Sequence, residues 1–362
     1  LAQAEGTNRR GLCRRFGISP TTGYKWLERF RQGSDAGLVD LPRRPHNSPF
    51  RTPAHLEQVV LSARKAHPAW GARKLRRWLV DRKDVLEADM PAPSTITAIL
   101  RRNGRIDPAE GTKHRSWHRF EHQAPNDLWQ MDFKGHFPLT QGRCHPLTVL
   151  DDHSRFALGL QACGNEQGET VQERLTAIFR RYGLPNTMLM DNGPPWGHDQ
   201  DHSYTPFTVW LLRLGVRVSH GRPYHPQTQG KDERFHRTMT VEVLQGSSFT
   251  DLAHCQRAFD RWRDVYNLER PHEALDLATP ASKYQVSQRP FPEVLPPLEY
   301  EPTDLVRRVR DKGRIMLFGR IFKVPKAFKG MPVAIRPTTI DGVWNVFFAI
   351  HEIAQLDLRQ DA

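Results

Sequence analysis

The N-terminal part of the chain has hydrophobic positions that recur with a helical period, in short stretches broken by turn residues. The pattern predicts a helix over 8–16 and another from 20 to about 32, with Ser19 as its N-cap and Pro20 at its first position. Two short helices around a glycine-containing turn are typical of a helix-turn-helix unit, whose second helix enters the major groove of DNA. An ordinary helical hairpin is the alternative. The side chains of this unit, 1–33, that we expect to face DNA are Thr21, Thr22, Lys25 and Arg29.

The next segment, 34–53, is rich in proline, glycine and arginine, which predicts an extended linker rather than a helix. A basic extended chain suits the minor groove of DNA or the phosphate backbone, and a solvated spacer is the alternative. Its candidate DNA contacts are Arg43, Arg44 and Arg51.

Helical periodicity returns over 54–105, where it predicts helices at 55–66, 72–79 and 95–103, the last with Ser94 as N-cap. These three helices form a second helix-turn-helix candidate. The sequence leaves open which helix reads bases and which only contacts phosphates. The basic side chains of this unit that we expect to contact DNA are Arg73, Lys74, Arg76, Arg77, Arg101 and Arg102.

After a basic connector over 106–125, apolar strand-like runs alternate with helical stretches through a central region, 126–285. The predicted strands are 128–133, 147–152, 156–160, 187–190 and 216–219. The predicted helices are 169–182, 205–214, 230–244 and 253–267. Mixed strands with interleaved helices indicate an α/β core.

The C-terminal region, 305–362, alternates in short strands that are separated by glycine turns, after a proline-rich linker over 286–304. This pattern predicts a small antiparallel β-barrel. Lysine and arginine are dense in it, which favours a nucleic-acid surface over a purely structural lid. The predicted fold class is therefore multidomain: N-terminal all-α helix-turn-helix units, a central α/β core and a C-terminal small β-barrel.

Charge is distributed unevenly along the 362 residues, which together carry a net charge of +13. Basic residues outnumber acidic ones about two to one over 1–120 and 305–362, whereas acidic residues are in excess between them. We expect polyanion-binding flanks around a metal-binding centre. The apolar runs are too short to span a membrane, and the four cysteines form no Cys-x-x-Cys pair, so a reducing cytoplasm is expected.

Three acidic residues carry the candidate chemistry. Asp132 and Asp191 each close an apolar strand, and Glu233 opens a predicted helix. Two rigid strand-end aspartates and a longer helix-borne glutamate can hold a pair of hard divalent cations against a phosphodiester. Each acid is weak evidence alone, because an aspartate after a strand is often a turn residue.

The third acid has competitors nearby in the sequence. Asp232 points about 100° away from its neighbour Glu233 on a helix, so only one of them can face the aspartates. Glu233 is preferred because it shares a stripe with Gln229 and Arg237, four residues to either side, although a Glu233–Arg237 salt bridge is the alternative explanation of that stripe. The polar loop before this helix, 219–231, could order around DNA, and Lys231 at its end is a candidate DNA contact.

Four motifs make the chain similar to a known family. They are 127–133 (DLWQMDF), 150–155 (LDDHSR), 190–193 (MDNG) and 224–237 (YHPQTQGKDERFHR). They resemble those of the DDE-type transposases of bacterial insertion sequences, the group close to retroviral integrases. The stretch between the second and third acids is longer than is usual in that family, and we attribute the excess to a polar loop over 196–204.

The resemblance implies an RNase H-like core in which Asp132, Asp191 and Glu233 are the catalytic metal ligands. It also implies two Mg²⁺ ions per active site, with Mn²⁺ as a substitute, and places Gln229 and Arg237 near substrate DNA. The His/Cys zinc module of retroviral integrases is absent from the sequence.

The function implied is that of a transposase. It would bind the terminal inverted repeats of its element through 1–120, cleave at the element ends and join the 3′-OH to target DNA. It would act in the bacterial cytoplasm, associated with the nucleoid, as a homodimer or higher homo-oligomer on double-stranded DNA. The alternatives are a domesticated DNA-binding regulator without catalysis and a simple RNase H-like nuclease. Strand transfer is expected of the transposase and of neither alternative.

Overall fold

The computed structural model describes residues 6–40, 51–106, 122–197, 204–221 and 230–359. The chain divides into two compact units, Leu1–Pro53 and Ala54–Ala362. Across the described ranges no helix is both long enough and apolar enough to cross a bilayer. Arg43, Arg44, Gln229 and most of the predicted 196–204 loop lie outside these ranges.

The first unit contains the predicted helix pair, α1 (Arg9–Arg15) and α2 (Pro20–Gly37). Ser19 caps α2 as predicted, because its hydroxyl accepts a hydrogen bond from the Thr22 amide at 3.1 Å. A Cβ at Gly23 would overlap the sulfur of Cys13, so glycine allows the two helices to approach closely. The helix runs beyond the predicted end, with a kink at Ser34, where φ is 49°.

The second unit begins with three helices, α3 (Ala54–Ala66), α4 (Ala72–Asp81) and α5 (Pro93–Arg102). They enclose a small apolar core of their own, which includes the fully buried Trp70. The predicted N-cap of α5 was wrong, since Ala92 is the N-cap and Ser94 lies inside the helix. Pro93 takes the first helical position, where its missing N–H costs nothing, and the helix therefore begins nearer the N-terminus than predicted.

The central sheet has six strands: β1 (Leu128–Phe133), β2 (Phe137–Pro138), β3 (Arg143–Asp151), β4 (Ala157–Cys163), β5 (Thr187–Met190) and β6 (Arg217–His220). Their order is β2-β3-β1-β5-β6, and β4 also pairs with β3. The β1–β3 and β3–β4 pairs are antiparallel, whereas β1, β5 and β6 run parallel. The carboxyl ends of β1 and β5 therefore meet at one edge.

Helices cover both faces of this sheet. One face packs against α6 (Gly168–Tyr182) and α7 (Pro206–Arg213), around a core that includes Trp129 and Phe179. The other face packs against α8 (Gly230–Met239) and α9 (Leu252–Asp264), around Phe235 and Phe259. A π-helical turn follows each of these last two helices, at Thr240–Leu244 and Val265–Glu269. The α/β core predicted from the sequence is confirmed.

The proline-rich stretch predicted as a linker, 286–304, is held against the central domain over much of its length. The Arg289 guanidinium donates to the carbonyl oxygens of Pro185, Leu214 and Gly215, at 2.6, 3.0 and 2.9 Å. Phe291 and Leu295 pack on the core that contains Trp129. Proline excludes regular structure here, and these long-range contacts fix the extended path instead.

We expect Arg289→Ala to lower the free energy of unfolding by about 1–3 kcal/mol, because three carbonyl groups lose their donor. Arg308→Ala is the matched control, since this exposed arginine lies on an edge strand. Its free energy of unfolding should stay within about 0.5 kcal/mol of the wild-type value. Urea unfolding of both variants tests the expectation. Equal stability of the two would show that the proline-rich stretch is an unattached linker.

The C-terminal region contains β7 (Leu305–Arg308), β8 (Arg314–Leu317), β9 (Arg320–Lys323), β10 (Pro332–Pro337), β11 (Val343–Phe348) and β12 (His351–Asp357). They form a four-stranded antiparallel sheet, β12-β11-β10-β7, and a separate β8–β9 hairpin. Among the described residues these are two open sheets, so the predicted closed barrel is not confirmed. Their core includes Val209 and Leu212 of α7, and the region therefore shares its interior with the central domain.

Candidate active site

Two of the three predicted acids meet at the shared carboxyl edge of β1 and β5. The parallel register pairs Gln130 with Leu189, so Asp132 and Asp191, each two residues further on, come side by side. Neighbouring strands lie about 4.8 Å apart, which brings the two carboxylates within reach of one cation. The two aspartates come together because each directly follows buried residues of one of two neighbouring parallel strands.

The electrostatics of Asp132 fit a cation site. The pKa of its carboxyl is raised to about 7, mainly by burial; the backbone hydrogen bond from Phe133 lowers it, and the negative charges of Asp191 and Glu166 contribute to the rise. Its side chain is still 28% exposed, and Asp191 is exposed. An accessible group of carboxylates that repel one another is the oxygen-rich donor set that Mg²⁺ binds.

Helix α8 brings two further acids to this edge and orients them differently. Asp232 is only 3% exposed, and its Oδ1 is buried without a hydrogen-bond partner. Burial, followed by the charges of Asp132 and Asp152, raises the pKa of Asp232 well above its ordinary value, while Lys231 lowers it. Glu233 is exposed. Within the described ranges, no group of three or more His, Cys, Asp or Glu side chains is arranged to hold a metal ion.

The orientation of α8 had a sequence signal that favoured Asp232 as the inward residue. Asp232, Phe235 and Met239 are all buried, and their spacing of i, i+3 and i+7 marks the core-facing side of a helix. The predicted stripe that contains Glu233 and Arg237 lies on a different face of α8, and both of these side chains are exposed. The structure thus places Asp132 near Asp191 and also near Asp232, and it leaves the Glu233 side chain exposed.

His236 is a site residue that the sequence reasoning missed. Its Nε2 lies 2.9 Å from the Thr148 hydroxyl, which itself donates to the Asp132 carbonyl oxygen at 3.0 Å. Nε2 therefore carries the proton, and Nδ1 lies 4.0 Å from Asp132 Oδ2. Burial, together with Lys134, lowers the pKa of His236 to about 4, so the ring is neutral at pH 7. The sequence signal that could have identified His236 as a site residue is its position three residues after Glu233 in the same predicted helix.

The predicted DNA contacts of the first unit lie mostly at its surface. Thr21, Thr22 and Lys25 are exposed on α2, as is Arg51 in the segment that follows. Thr22 Oγ1 also lies 2.8 Å from the Ser19 hydroxyl. Arg29 is partly buried: its guanidinium stacks over Trp26 at 4.4 Å and donates to the carbonyl oxygen of Val39.

Several basic residues of the second unit are engaged within the protein. Arg76 pairs with Glu87 at 3.5 Å, Arg77 with Asp81 at 2.9 Å, and Arg102 with Glu57. These pairs remain accessible and could exchange a carboxylate for a phosphate. Arg73 and Arg101 are exposed and, in the part of the chain that the structure describes, make no ion pair.

Lys74 and Lys231, two of the predicted DNA contacts, are engaged within the protein. Burial and the charge of Arg270 lower the pKa of Lys74 to about 8, because α4 faces the C-terminal end of the central domain. In the same contact, Trp78 Nε1 donates to Glu269 at 3.2 Å. Lys231 pairs with the buried Asp152 and is 17% exposed. Neither ammonium group lies on an open surface.

The pKa of Asp132 predicts how metal binding responds to pH. At pH 6 this carboxyl is largely protonated, so Mg²⁺ must displace a proton, and its affinity should be about tenfold weaker than at pH 8. Without metal, the raised pKa works in the other direction: the contribution of Asp132 to stability is present at low pH and is lost as pH rises through about 7.

We therefore expect added Mg²⁺ to raise the melting temperature more at pH 8 than at pH 6, and Asp132→Asn to remove the difference. Thermal unfolding at both pH values, with and without Mg²⁺, measures this. An equal shift at both pH values in the wild-type chain would contradict the assignment of Asp132 as a metal ligand.

Known protein families match most of this chain. Integrase core domains match residues 122–226 and 214–280, and the C-terminal domain of the IS481 family of transposases matches 304–362. Homeodomain-like domains match 1–39 and 22–100. The helix-turn-helix and integrase-type domains predicted from the sequence are thereby confirmed.

Curated relatives come from bacterial insertion elements. An uncharacterized 31.7 kDa protein of IS407 from Burkholderia multivorans is 28% identical over 158 residues, which are 44% of this chain and 55% of that protein. An uncharacterized 39.2 kDa protein of IS476 from Xanthomonas euvesicatoria is 30% identical over 43% of this chain and 44% of its own length. The IS904 transposase of Lactococcus lactis is 25% identical over 44% of this chain and 62% of its own. The chain thus spans about half the length of the first two relatives.

Solved structures of retroviral proteins align with the chain at low TM-scores. A chain of the simian T-cell lymphotropic virus intasome complex aligns with 77% of this chain and 98% of its own, at 16% identity and a TM-score of 0.40. The catalytic core domain of BIV integrase aligns with 44% of this chain and 93% of its own, at 24% identity and a TM-score of 0.34. The matched domains and the insertion-element relatives together support a DDE-type transposase with an integrase-type core.

Proposed function

We propose that this transposase binds the terminal inverted repeats of its element, cleaves at the element ends and joins the 3′-OH to target DNA by two-metal phosphoryl transfer. The observation that carries the proposal is the pair of mutually repelling carboxylates, Asp132 and Asp191, at one edge of an integrase-type core. The basic helical units before this core supply the affinity for a polyanion that its own acidic residues cannot.

Asp132, Asp191 and Glu233 are the proposed ligands of two Mg²⁺ ions, for which Mn²⁺ would substitute. When bound, the two ions supply the positive charge that activates the attacking oxygen and stabilises the leaving one. Asp132 and Asp191 are fixed by the strand ends. Glu233 stands in the first turn of α8 with its side chain exposed, so it can turn toward an incoming ion or DNA strand.

Recognition of the element ends is assigned to the two helical units, 1–33 and 54–105, joined by 34–53. Catalysis is assigned to 126–285, and additional DNA contact to the basic C-terminal region, 305–362. The connecting segments are 106–125 and 286–304. The predicted contacts Arg51, Arg73, Arg101 and Arg237 are exposed arginines that are available to phosphates. Two ends must be cut and joined together, so a homodimer or a larger homo-oligomer on DNA, in the bacterial cytoplasm, is part of the proposal.

Binding and cleavage of end-labelled DNA test the assignment. A duplex that carries the terminal repeat should bind at least about a thousandfold more tightly than a scrambled duplex at ~150 mM salt. With Mg²⁺, the repeat duplex should be nicked at the element end. Specific binding without nicking would favour the regulator, and equal nicking of both duplexes would favour the simple nuclease.

A further inference from the structure

A buried polar cluster joins three elements beside the active site. Asp152, in the turn between β3 and β4, is 1% exposed. Its Oδ1 accepts a hydrogen bond from Gln130 Nε2 at 2.7 Å and pairs with the Lys231 ammonium. Its Oδ2 accepts from the backbone N–H of His122 at 2.9 Å. We call Gln130, Asp152 and Lys231 the anchor cluster.

On β1 and on α8, the residue of the anchor cluster lies two positions before a candidate metal ligand. Gln130 is two residues before Asp132 on β1, and alternate residues of a strand point to the same face. Lys231 lies in the first turn of α8, two residues before Glu233. Asp152 therefore bridges the strand that carries one ligand to the helix that carries another.

A second connection lies one helical turn further along α8. His236 Nε2 and the Asp132 carbonyl oxygen share the Thr148 hydroxyl, at 2.9 and 3.0 Å. With contacts at 231 and 236, the start of α8 is tied to the sheet on both sides of Asp232 and Glu233. Helix termini fray unless they are held, so these contacts decide where the two acids lie.

The charges in this cluster explain why the lysine is needed. Three acids lie close together here. Asp132 and Asp152 both raise the pKa of Asp232, and the positive charge of Lys231 lowers it. A buried ion pair adds little net stability, because desolvation offsets the attraction, yet removing one partner leaves a buried charge uncompensated. The pair therefore serves the geometry of α8 more than the total stability of the fold.

We propose that Asp152 and Lys231 are positioning residues. They hold the start of α8 so that its proposed metal ligand, Glu233, is presented to the site of Asp132 and Asp191. This inference rests on the proposed function. Neither residue touches the reacting atoms: Asp152 acts through Lys231 and Gln130, and Lys231 acts through the helix that it anchors. Lys231 contributes to catalysis from inside the protein, rather than by contacting DNA.

Four variants test the anchor in the full-length chain: Asp152→Asn, Lys231→Met, Lys231→Arg and the double variant Asp152→Asn/Lys231→Met. Lys283→Met is the matched control, since Lys283 is an exposed lysine. The measurements are the Mg²⁺ concentration for half-maximal nicking of terminal-repeat DNA, the affinity for that DNA, and hydrogen exchange of the α8 amides, with α6 as an internal reference.

Each single neutral variant should raise the half-maximal Mg²⁺ concentration by about tenfold or more, the usual cost of losing a partner that orients a metal ligand. Amide exchange in α8 should accelerate while that in α6 is unchanged, and DNA affinity should stay within about twofold. Lys231→Arg should keep most of the wild-type behaviour. The double variant should recover part of the Mg²⁺ response, because no unpaired charge stays buried.

Two results would overturn the proposal. One is an unchanged Mg²⁺ response and unchanged α8 exchange in both single neutral variants, even if their melting temperatures fall. The other is a loss of DNA affinity in Lys231→Met with no effect in Asp152→Asn, which would restore Lys231 as a DNA contact. If the wild-type chain nicks no DNA with Mg²⁺ or Mn²⁺, the proposed function fails, and α8 exchange in Asp152→Asn alone decides the anchor: acceleration supports it and no change refutes it.

Discussion

Asp191→Asn should reduce end cleavage and joining by at least about a thousandfold, which corresponds to ~4 kcal/mol of transition-state stabilisation. Asparagine has the shape of aspartate but lacks the negative charge that holds a divalent cation. Asp191 is exposed and its side chain bonds only locally, to the Asn192 amide at 2.9 Å among the described residues, so the fold should not suffer. Affinity for the terminal-repeat duplex should be unchanged, because the helical units supply it.

Asp264→Asn is the control for this substitution. It removes the same charge from an exposed aspartate at the end of α9, and it should cleave and join DNA like the wild type. Initial rates of nicking and of strand transfer, measured on the same labelled duplex, give the ratio. Activity of Asp191→Asn within about tenfold of that of Asp264→Asn would mean that Asp191 holds no essential metal ion.

Glu233→Gln and Asp232→Asn should differ sharply, and their comparison identifies the third acid. Glu233→Gln should lose at least about a thousandfold in rate, as expected for the loss of a metal ligand. Asp232→Asn should keep its rate within about tenfold and should raise the melting temperature. Burial beside Asp132 and Asp152 raises the pKa of Asp232 well above its ordinary value, so a neutral amide fits this place at least as well.

The opposite pattern would reassign the site. If Asp232→Asn abolishes nicking and Glu233→Gln retains it, the acid that faces Asp132 in the structure is the ligand, and the motif match at Glu233 does not carry over. Both variants should be compared at saturating Mg²⁺, so that a weaker metal affinity is not mistaken for lost chemistry. Circular dichroism confirms that each is folded.

The local pattern of the sequence was sufficient for the parts of the site that follow from strand ends. Asp132 and Asp191 each come directly after buried strand residues, and parallel pairing then brings them together. Helices and strands of the central domain were likewise predictable, because each buries one face with a regular period. The two homeodomain-like regions follow from periodicity and from turn residues such as Ser19 and Pro20.

Features that depend on distant residues could not be predicted. Lys231 finds its partner Asp152 far away in the sequence, and Lys74 is buried against a domain whose placement no local pattern encodes. The stretch around Arg289 has the composition of a linker and is ordered by carbonyl groups of the central domain. Strand alternation in the C-terminal region predicted strands, but whether sheets close depends on pairing between edges.

Strand transfer into a target plasmid tests the central claim most directly. Labelled duplexes that end in the terminal repeat are incubated with the wild-type chain, a supercoiled plasmid and Mg²⁺, and label that becomes covalently joined to the plasmid is measured. We predict joining through the 3′ end of the repeat, and no joining of a scrambled duplex or with Asp191→Asn. Absence of joined product with wild-type chain that binds the repeat, or equal joining by Asp191→Asn, would contradict the account.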